Sequence, residues 1–127
     1  MAGGHQRRAL IVDDEPHLRG FVGLALRAHG YTVEEAEDGQ EALDTLARPS
    51  SPADHLCVVV LDMGLPMIDG ASVLRHLMTS HDAPPIVAVS AAQERLAEAR
   101  AAGAHATLAK PFSLDVLLET ITSVARC

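Results

Sequence analysis

Five short apolar runs alternate with five longer segments of helical spacing along this chain of 127 residues. The runs are rich in β-branched and aliphatic residues, whereas the longer segments repeat their apolar residues every three or four positions. The sequence predicts strands at 8–12, 31–36, 56–61, 85–89 and 106–109, and helices at 16–29, 38–47, 70–79, 93–102 and 113–126. Alternating strands and helices form a parallel sheet with right-handed crossovers and a helix layer on each face. The sequence therefore predicts a doubly wound α/β domain.

The length allows one domain, which we place at residues 8–127, with residues 1–7 as a flexible leader. Cys57 lies inside an apolar run and Cys127 is the last residue, so we expect them to be unpaired. Such cysteine usage fits a reducing cytoplasm. No run is long enough to cross a bilayer, and the first residues lack the apolar stretch of a signal peptide. The sequence therefore predicts a cytoplasmic protein with no membrane partner.

The charge balance argues against nucleic acid as a direct partner. Ten basic residues stand against seventeen acidic ones, which gives a formal net charge of −7. Binding to phosphate backbones needs clustered Lys and Arg, and the one basic doublet is Arg7-Arg8 near the start of the chain.

Polar residues follow the predicted strands, and ligands of such sheets bind beyond the carboxyl ends of the strands. Asp13 and Asp14 follow the first strand, Asp62 the third, Ser90 the fourth and Lys110 the fifth. Converging carboxylates oppose each other's ionisation unless a cation lies between them, and hard oxygen ligands suit Mg²⁺. We therefore expect Mg²⁺ to be held by the three aspartates and a backbone carbonyl of the loop after Asp62. A carboxylate between a metal and a lysine can attack phosphorus, and Ser90 could donate a hydrogen bond to the phosphoryl group.

Simpler structural roles remain open for two of these groups. Asp13, Asp14 and Glu15 could be charges favoured at the N-terminus of a helix. The segment SAAQ at 90–93 has the pattern of a capping box, so Ser90 could serve only to begin a helix. Asp62 ends an all-apolar strand, where an unpaired carboxylate is rare, and a capping role alone is disfavoured.

Four separated motifs give the chain a family resemblance. They are VDDEP at 12–16, LDMGLPMIDG at 61–70, VSA at 89–91 and AKPF at 109–112. In this order and spacing the chain resembles, over residues 8–126, the receiver domain of two-component response regulators, and is similar to the single-domain chemotaxis regulators. The resemblance implies a flavodoxin-like (βα)5 fold with strand order 2-1-3-4-5.

The resemblance also implies a role for each matching residue. Asp62 would be the phosphoacceptor, and Asp13, Asp14 and the Gly64 carbonyl would complete the Mg²⁺ site with it. Lys110, Ser90 and the Ala91 backbone would contact the phosphoryl group, and Ser90 would be the switch hydroxyl. The second switch position lies three residues before the lysine, where the family usually has Tyr or Phe.

At that second position this chain has Thr107, which departs from the family pattern. A threonine has no ring to swing inward, so the usual aromatic half of the switch is missing. The positions two residues after Asp62 and two after Ser90 hold the small residues Gly64 and Ala92, which predicts an open path for water to a phosphorylated Asp62.

The leading hypothesis is a phosphoacceptor signalling switch and not an enzyme, apart from Mg²⁺-dependent self-phosphorylation and self-dephosphorylation. A histidine kinase or phosphotransfer protein would be the donor, and residues 93–126 would form the surface that a downstream protein or a tethered output domain reads, with polar contacts from 93–95 and 98–100. The chain would be a stand-alone regulator or part of a longer one, and a monomer or a phosphorylation-dependent dimer.

Three alternative functions are an aspartyl-phosphate phosphatase of the haloacid dehalogenase class, a nucleotide or flavin binder, and a scaffold that is never phosphorylated. The phosphatase class wants a second Asp where this chain has Gly64, and the acidic segment at 13–15 repels a nucleotide phosphate without metal.

Overall fold

A computed structural model describes residues 7–48, 56–65, 67–79 and 83–127, and it contains the predicted alternation of strands and helices. The strands are β1 (Arg7–Val12), β2 (Tyr31–Ala36), β3 (Leu56–Asp62), β4 (Ile86–Ser90) and β5 (Ala106–Ala109). The helices are α1 (Pro16–Ala28), α2 (Gly39–Ala47), α3 (Gly70–Met78), α4 (Gln93–Ala101) and α5 (Leu114–Val124). Helix and strand bounds differ from the sequence prediction by two residues at most.

The five strands form one parallel sheet in the order β2-β1-β3-β4-β5, which confirms the predicted fold and strand order. The most apolar strand, β3, lies in the middle of this sheet, where both of its faces are covered. Its residues from Cys57 to Asp62 are all buried. A central parallel strand reads as a continuous apolar run for this reason, and the run at 56–61 predicted its place.

Successive side chains of each strand point to opposite faces of the sheet and build two cores. In β1, Leu10 and Val12 pack with residues of α2, α3 and α4, whereas Ala9 and Ile11 pack with residues of α1 and α5. Both faces of the sheet are therefore covered by helices, and the candidate site residues lie at the ends of the strands. No helix within the described parts of the chain has the length and apolarity that a bilayer crossing requires.

Arg7, which the sequence prediction assigned to the leader, belongs to β1 and pairs in register with Tyr31. Its guanidinium carbon also lies 4.8 Å from the centre of the Tyr31 ring, a distance typical of a cation–π contact. Residues 1–6 lie outside the described residues, as do residues 49–55 of the predicted surface loop.

The prediction of unpaired cysteines is wrong, because Cys57 and Cys127 form a disulfide. α5 ends at Val124, and the backbone N–H of Arg126 donates to the carbonyl of Cys57 at 3.0 Å. This bond places the last residues beside the start of β3, and the two cysteine Cα atoms are 4.8 Å apart. Since the pairing spans 70 residues, it depends on where α5 ends and could not be recognised from the local sequence.

The disulfide predicts a stability difference that depends on reductant. Cys127 is exposed, so Cys127→Ser removes the bond without opening a cavity. Closing a loop of this length stabilises a domain by about 4 kcal/mol in the chain-entropy model. We expect Cys127→Ser to lower the free energy of unfolding in urea by up to that amount without reductant, and the two proteins to converge in dithiothreitol. Alkylation of both wild-type cysteines without reductant would contradict the pairing.

Candidate functional site

The parallel register brings the predicted site residues to one edge of the sheet. Val12 pairs with Leu61, so β1 and β3 end at the same level. Asp62 pairs with Val89, and Ser90 pairs with Ala109. The residues that follow these strands therefore lie side by side.

Asp13 and Asp62 are buried although both are acidic, each with 6% of its surface exposed. One carboxylate oxygen of each accepts a backbone N–H two residues further on. The Glu15 N–H donates to Oδ1 of Asp13 at 2.9 Å, and the Gly64 N–H donates to Oδ1 of Asp62 at 2.9 Å. These bonds fix one oxygen of each carboxylate and leave Oδ2 for other partners.

Lys110 supplies the positive charge at the same edge. Its Nζ lies 3.3 Å from Oδ2 of Asp13 and 3.5 Å from Oδ2 of Asp62. The Lys110 backbone N–H donates to the carbonyl of Ser90 at 3.0 Å, which holds the start of the following loop against β4. One ammonium thus lies between two buried carboxylates from different strands.

Asp14 completes an acidic cluster with Asp13 and Asp62. Each of the three side chains offers an oxygen within 4.8 Å of the oxygens of the other two, and Asp14 is the exposed member. A donor set made only of carboxylate oxygens, open to solvent on one side, fits a hard divalent cation such as Mg²⁺. The residues present therefore fit the predicted metal.

Burial is the main cause of a raised pKa at Asp62. The neighbouring carboxylates of Asp13 and Asp14 raise this pKa further, while the Gly64 N–H and the Lys110 ammonium oppose the shift. The site thus disfavours the ionised form of Asp62 relative to water. A bound cation would reverse this preference.

The acidic residues after β1 divide into a helix cap and site residues. Glu15 is the N-cap of α1, because its carboxylate accepts the backbone N–H groups of Leu18 and His17. The hydrogen bond from the Leu18 N–H is the main cause of a lowered pKa at the Glu15 carboxyl, and the bond from the His17 N–H lowers this pKa further. Of these three residues, Glu15 is the one whose side chain caps α1, whereas Asp13 and Asp14 belong to the acidic cluster.

The capping-box interpretation of Ser90 is wrong. The N-cap of α4 is Ala92, which makes no side-chain cap bond. Ser90 is buried at the end of β4, and its Oγ accepts the backbone N–H of Ala92 at 3.0 Å. The hydroxyl hydrogen therefore remains available to a ligand at the strand edge, next to the exposed Ala91.

Gly64, in the loop after β3, and Gly70, the first residue of α3, have different roles. A Cβ on Gly70 would lie 2.5 Å from the Met63 Cα and 2.6 Å from the Asp62 carbonyl, so the start of α3 approaches this loop at a distance that only glycine allows. A Cβ on Gly64 would meet only Asp62 Oδ1, at 3.5 Å. A side chain at position 64 would therefore contact the Asp62 carboxylate, and the open path for water to this carboxylate stays a prediction.

Thr107 lies away from the acidic cluster, at the middle of β5. It pairs in register with Ala88, two residues before Ser90. Its hydroxyl accepts a hydrogen bond from the guanidinium of Arg100 in α4. A polar link between α4 and β5 therefore exists at the position where the family usually has Tyr or Phe.

Two arginines that the sequence did not single out as site residues contact the backbone of the site. Arg19 in α1 donates from Nη1 to the Asp13 carbonyl at 2.7 Å, and Arg95 in α4 donates from Nη1 to the Met63 carbonyl at 2.9 Å. Arg95 is an exposed residue of the segment that the sequence analysis assigns to the proposed output surface. Both contacts depend on rotamers of long side chains, which the residue pattern does not encode.

A cleft of about 410 Å³ lies beside the cluster. Its lining is mostly apolar, with Leu18, Pro111 and Phe112 as the apolar wall and Glu15 and Lys110 as the charged residues. Since Lys110 also contacts Asp13 and Asp62, the cleft and the acidic cluster share one side chain.

The raised pKa of Asp62 predicts how its charge affects stability. The folded state binds this proton more tightly than the unfolded state, so ionisation above the folded-state pKa lowers the free energy of unfolding. We expect Asp62→Asn to raise the free energy of unfolding near neutral pH in the presence of a chelator. The gain should shrink as the pH falls through the folded-state pKa of Asp62.

Urea titrations at neutral and acidic pH measure this difference. Glu119→Gln is a control, because it removes one negative charge at an exposed position of α5. A neutral-pH gain no larger than that of the control, or one that persists unchanged in acid, would refute the expectation.

The chain matches the family model of the response regulator receiver domain over residues 9–122. A curated relative, the response regulator MprA of Mycolicibacterium vanbaalenii, is 39% identical over 122 residues, which cover 94% of this chain and 50% of that protein. MprA of Mycobacterium avium is 38% identical over the same length, with 51% of that protein covered. The chain thus spans about half the length of these relatives.

Solved structures of the same kind superpose on the chain. The chemotaxis protein CheY4 of Vibrio cholerae is 29% identical, with a TM-score of 0.80 over 94% of this chain and 98% of that one. The receiver domain of the sensor histidine kinase PA1611 of Pseudomonas aeruginosa is 27% identical, with a TM-score of 0.81 over 94% and 97%; that structure holds a magnesium ion in its active-site cleft. With the matched motifs gathered at one sheet edge, this chain belongs to the receiver domains of two-component response regulators.

Proposed function

We propose that Asp62 accepts a phosphoryl group from a histidine kinase or a phosphotransfer protein, and that the phosphorylated chain acts as a signalling switch. One observation carries this proposal above all: the Lys110 ammonium lies 3.3 Å and 3.5 Å from the carboxylates of Asp13 and Asp62, within an all-oxygen acidic cluster. A structural ion pair needs one carboxylate, whereas phosphoryl transfer needs a nucleophile, a metal site and a second cation together.

In the proposed reaction a carboxylate oxygen of Asp62 attacks the phosphorus of a phosphohistidine. The new O–P bond forms as the P–N bond breaks, and the imidazole nitrogen keeps the bonding electron pair. The Lys110 ammonium faces the incoming phosphoryl oxygens and neutralises their charge. The Ser90 hydroxyl and the Ala91 backbone N–H, at the end of β4, are the proposed hydrogen-bond donors to the same oxygens.

The proposed metal ligands are the carboxylates of Asp13, Asp14 and Asp62 and the Gly64 carbonyl. A bound Mg²⁺ supplies charge neutralisation for the acceptor carboxylate and the phosphoryl oxygens. The chain itself orients the ligands: the Glu15 N–H holds Asp13 and the Gly64 N–H holds Asp62. We do not assign the chain a catalytic cycle on external substrates, only self-phosphorylation and self-dephosphorylation through the side left open at Gly64.

The cleft beside the cluster is the proposed entry point of the phosphodonor. Its apolar wall of Leu18, Pro111 and Phe112 continues onto α1, where Phe21 and Leu24 are 56% and 67% exposed. Exposed apolar groups around a charged centre are typical of a surface that binds another protein. A histidine presented by a partner helix could reach Asp62 past Lys110.

The proposed output surface comprises α4, β5 and α5, residues 93–126. A rearrangement near Ser90 that follows phosphorylation of Asp62 would reach this surface through the hydrogen bond from Arg100 to Thr107, which links α4 to β5.

The relatives are about twice as long as the matched region, so a tethered output domain and a separate downstream protein are both compatible with the proposal. A monomer and a phosphorylation-dependent dimer are alternatives that are both compatible with the proposal. We place the reaction in the cytoplasm because of the proposed kinase partner, not because of the cysteines.

Mass spectrometry of the intact protein tests the phosphoacceptor. With Mg²⁺ and a small phosphodonor such as acetyl phosphate or phosphoramidate, we expect the wild type to gain one phosphoryl group. The adduct should be absent in Asp62→Asn and in the wild type with excess chelator. Asp44→Asn, the same change at an exposed site in α2, should leave the adduct in place.

Two results would contradict the proposal. An adduct that survives Asp62→Asn would place the phosphoryl group elsewhere, and the absence of an adduct with every donor would favour the scaffold hypothesis. Multiple turnover on a small phosphomonoester would instead identify a phosphatase.

A further inference from the structure

Arg95 reaches from the first turn of α4 to the loop that follows β3. Its Nη1 donates to the Met63 carbonyl at 2.9 Å, in a partly buried hydrogen bond between residues 32 positions apart. Met63 directly follows Asp62, and its own side chain is buried. The guanidinium thus contacts the backbone immediately behind the phosphoacceptor.

The Met63 carbonyl and the Gly64 N–H belong to the same peptide unit. This peptide is trans, so its carbonyl and its N–H point in opposite directions from one rigid plane. The N–H donates to Oδ1 of Asp62 at 2.9 Å, while the carbonyl accepts from Arg95. Arg95 and the Asp62 carboxylate therefore hold one peptide plane from its two sides.

This arrangement affects the orientation of the Asp62 carboxylate. A charged donor on the carbonyl is stronger than a neutral one and polarises the peptide, which strengthens the N–H bond at the other end. With Oδ1 of Asp62 fixed by that N–H, Oδ2 remains 3.5 Å from the Lys110 ammonium. Loss of the Arg95 contact would allow the peptide to rotate and the carboxylate to turn with it.

We propose that Arg95 is a positioning residue for phosphoryl transfer, acting on Asp62 through the Met63–Gly64 peptide. The proposal rests on the proposed function, since it concerns the rate of that reaction. It also joins α4, part of the proposed output surface, to the loop of the phosphoacceptor.

Arg75 offers a matched control. The pKa of Asp69 is lowered mainly by the Ser72 backbone N–H, and both Arg75 and Arg95 add to this shift, so the two cations act on the same loop. Arg75 differs in its contact, because its guanidinium donates to the Ser72 hydroxyl within α3. Arg75→Met therefore removes a nearby charge without touching the Met63 carbonyl.

The first measurement follows the Gly64 amide by ¹H–¹⁵N NMR without any phosphodonor. In Arg95→Met we expect this resonance to move upfield and its hydrogen exchange to accelerate about tenfold, because the bond to Asp62 weakens. Arg75→Met should leave both unchanged. Arg95→Lys keeps a charged donor and should recover most of the wild-type behaviour.

The second measurement is the rate of adduct formation with Mg²⁺ and phosphoramidate. Arg95→Met should lower the rate at saturating donor about tenfold and leave the half-saturating donor concentration unchanged, since the donor does not contact Arg95. Arg75→Met should match the wild type. If Arg95→Met does not fold, Arg95→Gln replaces it in both measurements.

An unchanged Gly64 amide in the Arg95 variant, an unchanged maximal rate, or equal effects of the Arg75 and Arg95 variants would each overturn the proposal. Failure of the proposed function gives a different pattern. In that case the wild type forms no adduct, while the amide comparison still shows whether Arg95 holds the peptide.

Discussion

The site depends on the burial of like charges at the end of a parallel sheet. Asp13 and Asp62 are almost fully buried, and the exposed Asp14 adds a third carboxylate within reach of both. Lys110 is the ammonium that contacts the two buried members. A single positive charge cannot balance three negative ones, and the pKa of Asp62 is raised mainly by its burial and further by the carboxylates of Asp13 and Asp14. The site therefore has its lowest free energy with an added cation, or with Asp62 neutral.

The sheet makes this unfavourable arrangement possible. Parallel strands all end at the same edge, and the register at Val12–Leu61 and Asp62–Val89 places the acidic residues next to one another. The two cores on either face of the sheet supply the stability that the charged edge does not. Backbone N–H groups from Glu15 and Gly64 then compensate part of the desolvation of the carboxylates.

The sequence allowed the fold to be predicted nearly completely, because strand and helix periods are local properties. The apolar run at 56–61 could be only a buried strand or a short buried helix, and the charged residue after it fixed where it ends. That Asp13, Asp14, Asp62 and Lys110 lie together followed from their places after the predicted strands of a parallel sheet, whereas the strand order came from the family resemblance. Their roles in phosphoryl transfer stay predictions.

What could not be predicted depends on side-chain direction or on distant contacts. The pattern SAAQ is compatible with a cap at Ser90, but the structure shows that Ala92 is the N-cap of α4 and that it makes no side-chain cap bond. The Cys57–Cys127 pair depends on where the chain runs after α5. The pairing also removes cysteine usage as an argument for a reducing compartment, because unpaired thiols were the reason for it.

Polar contacts contribute to the position of α4. Leu96 and Ala99 are its buried residues, and its N-cap lacks a side-chain bond. Two guanidinium groups of this helix also make contacts outside it, Arg95 with the loop behind Asp62 and Arg100 with Thr107 in β5. Under the proposed function, a change at Asp62 that moves the Met63 carbonyl would act on α4 through Arg95, and the bond from Arg100 to Thr107 would carry the displacement to β5 without an aromatic ring.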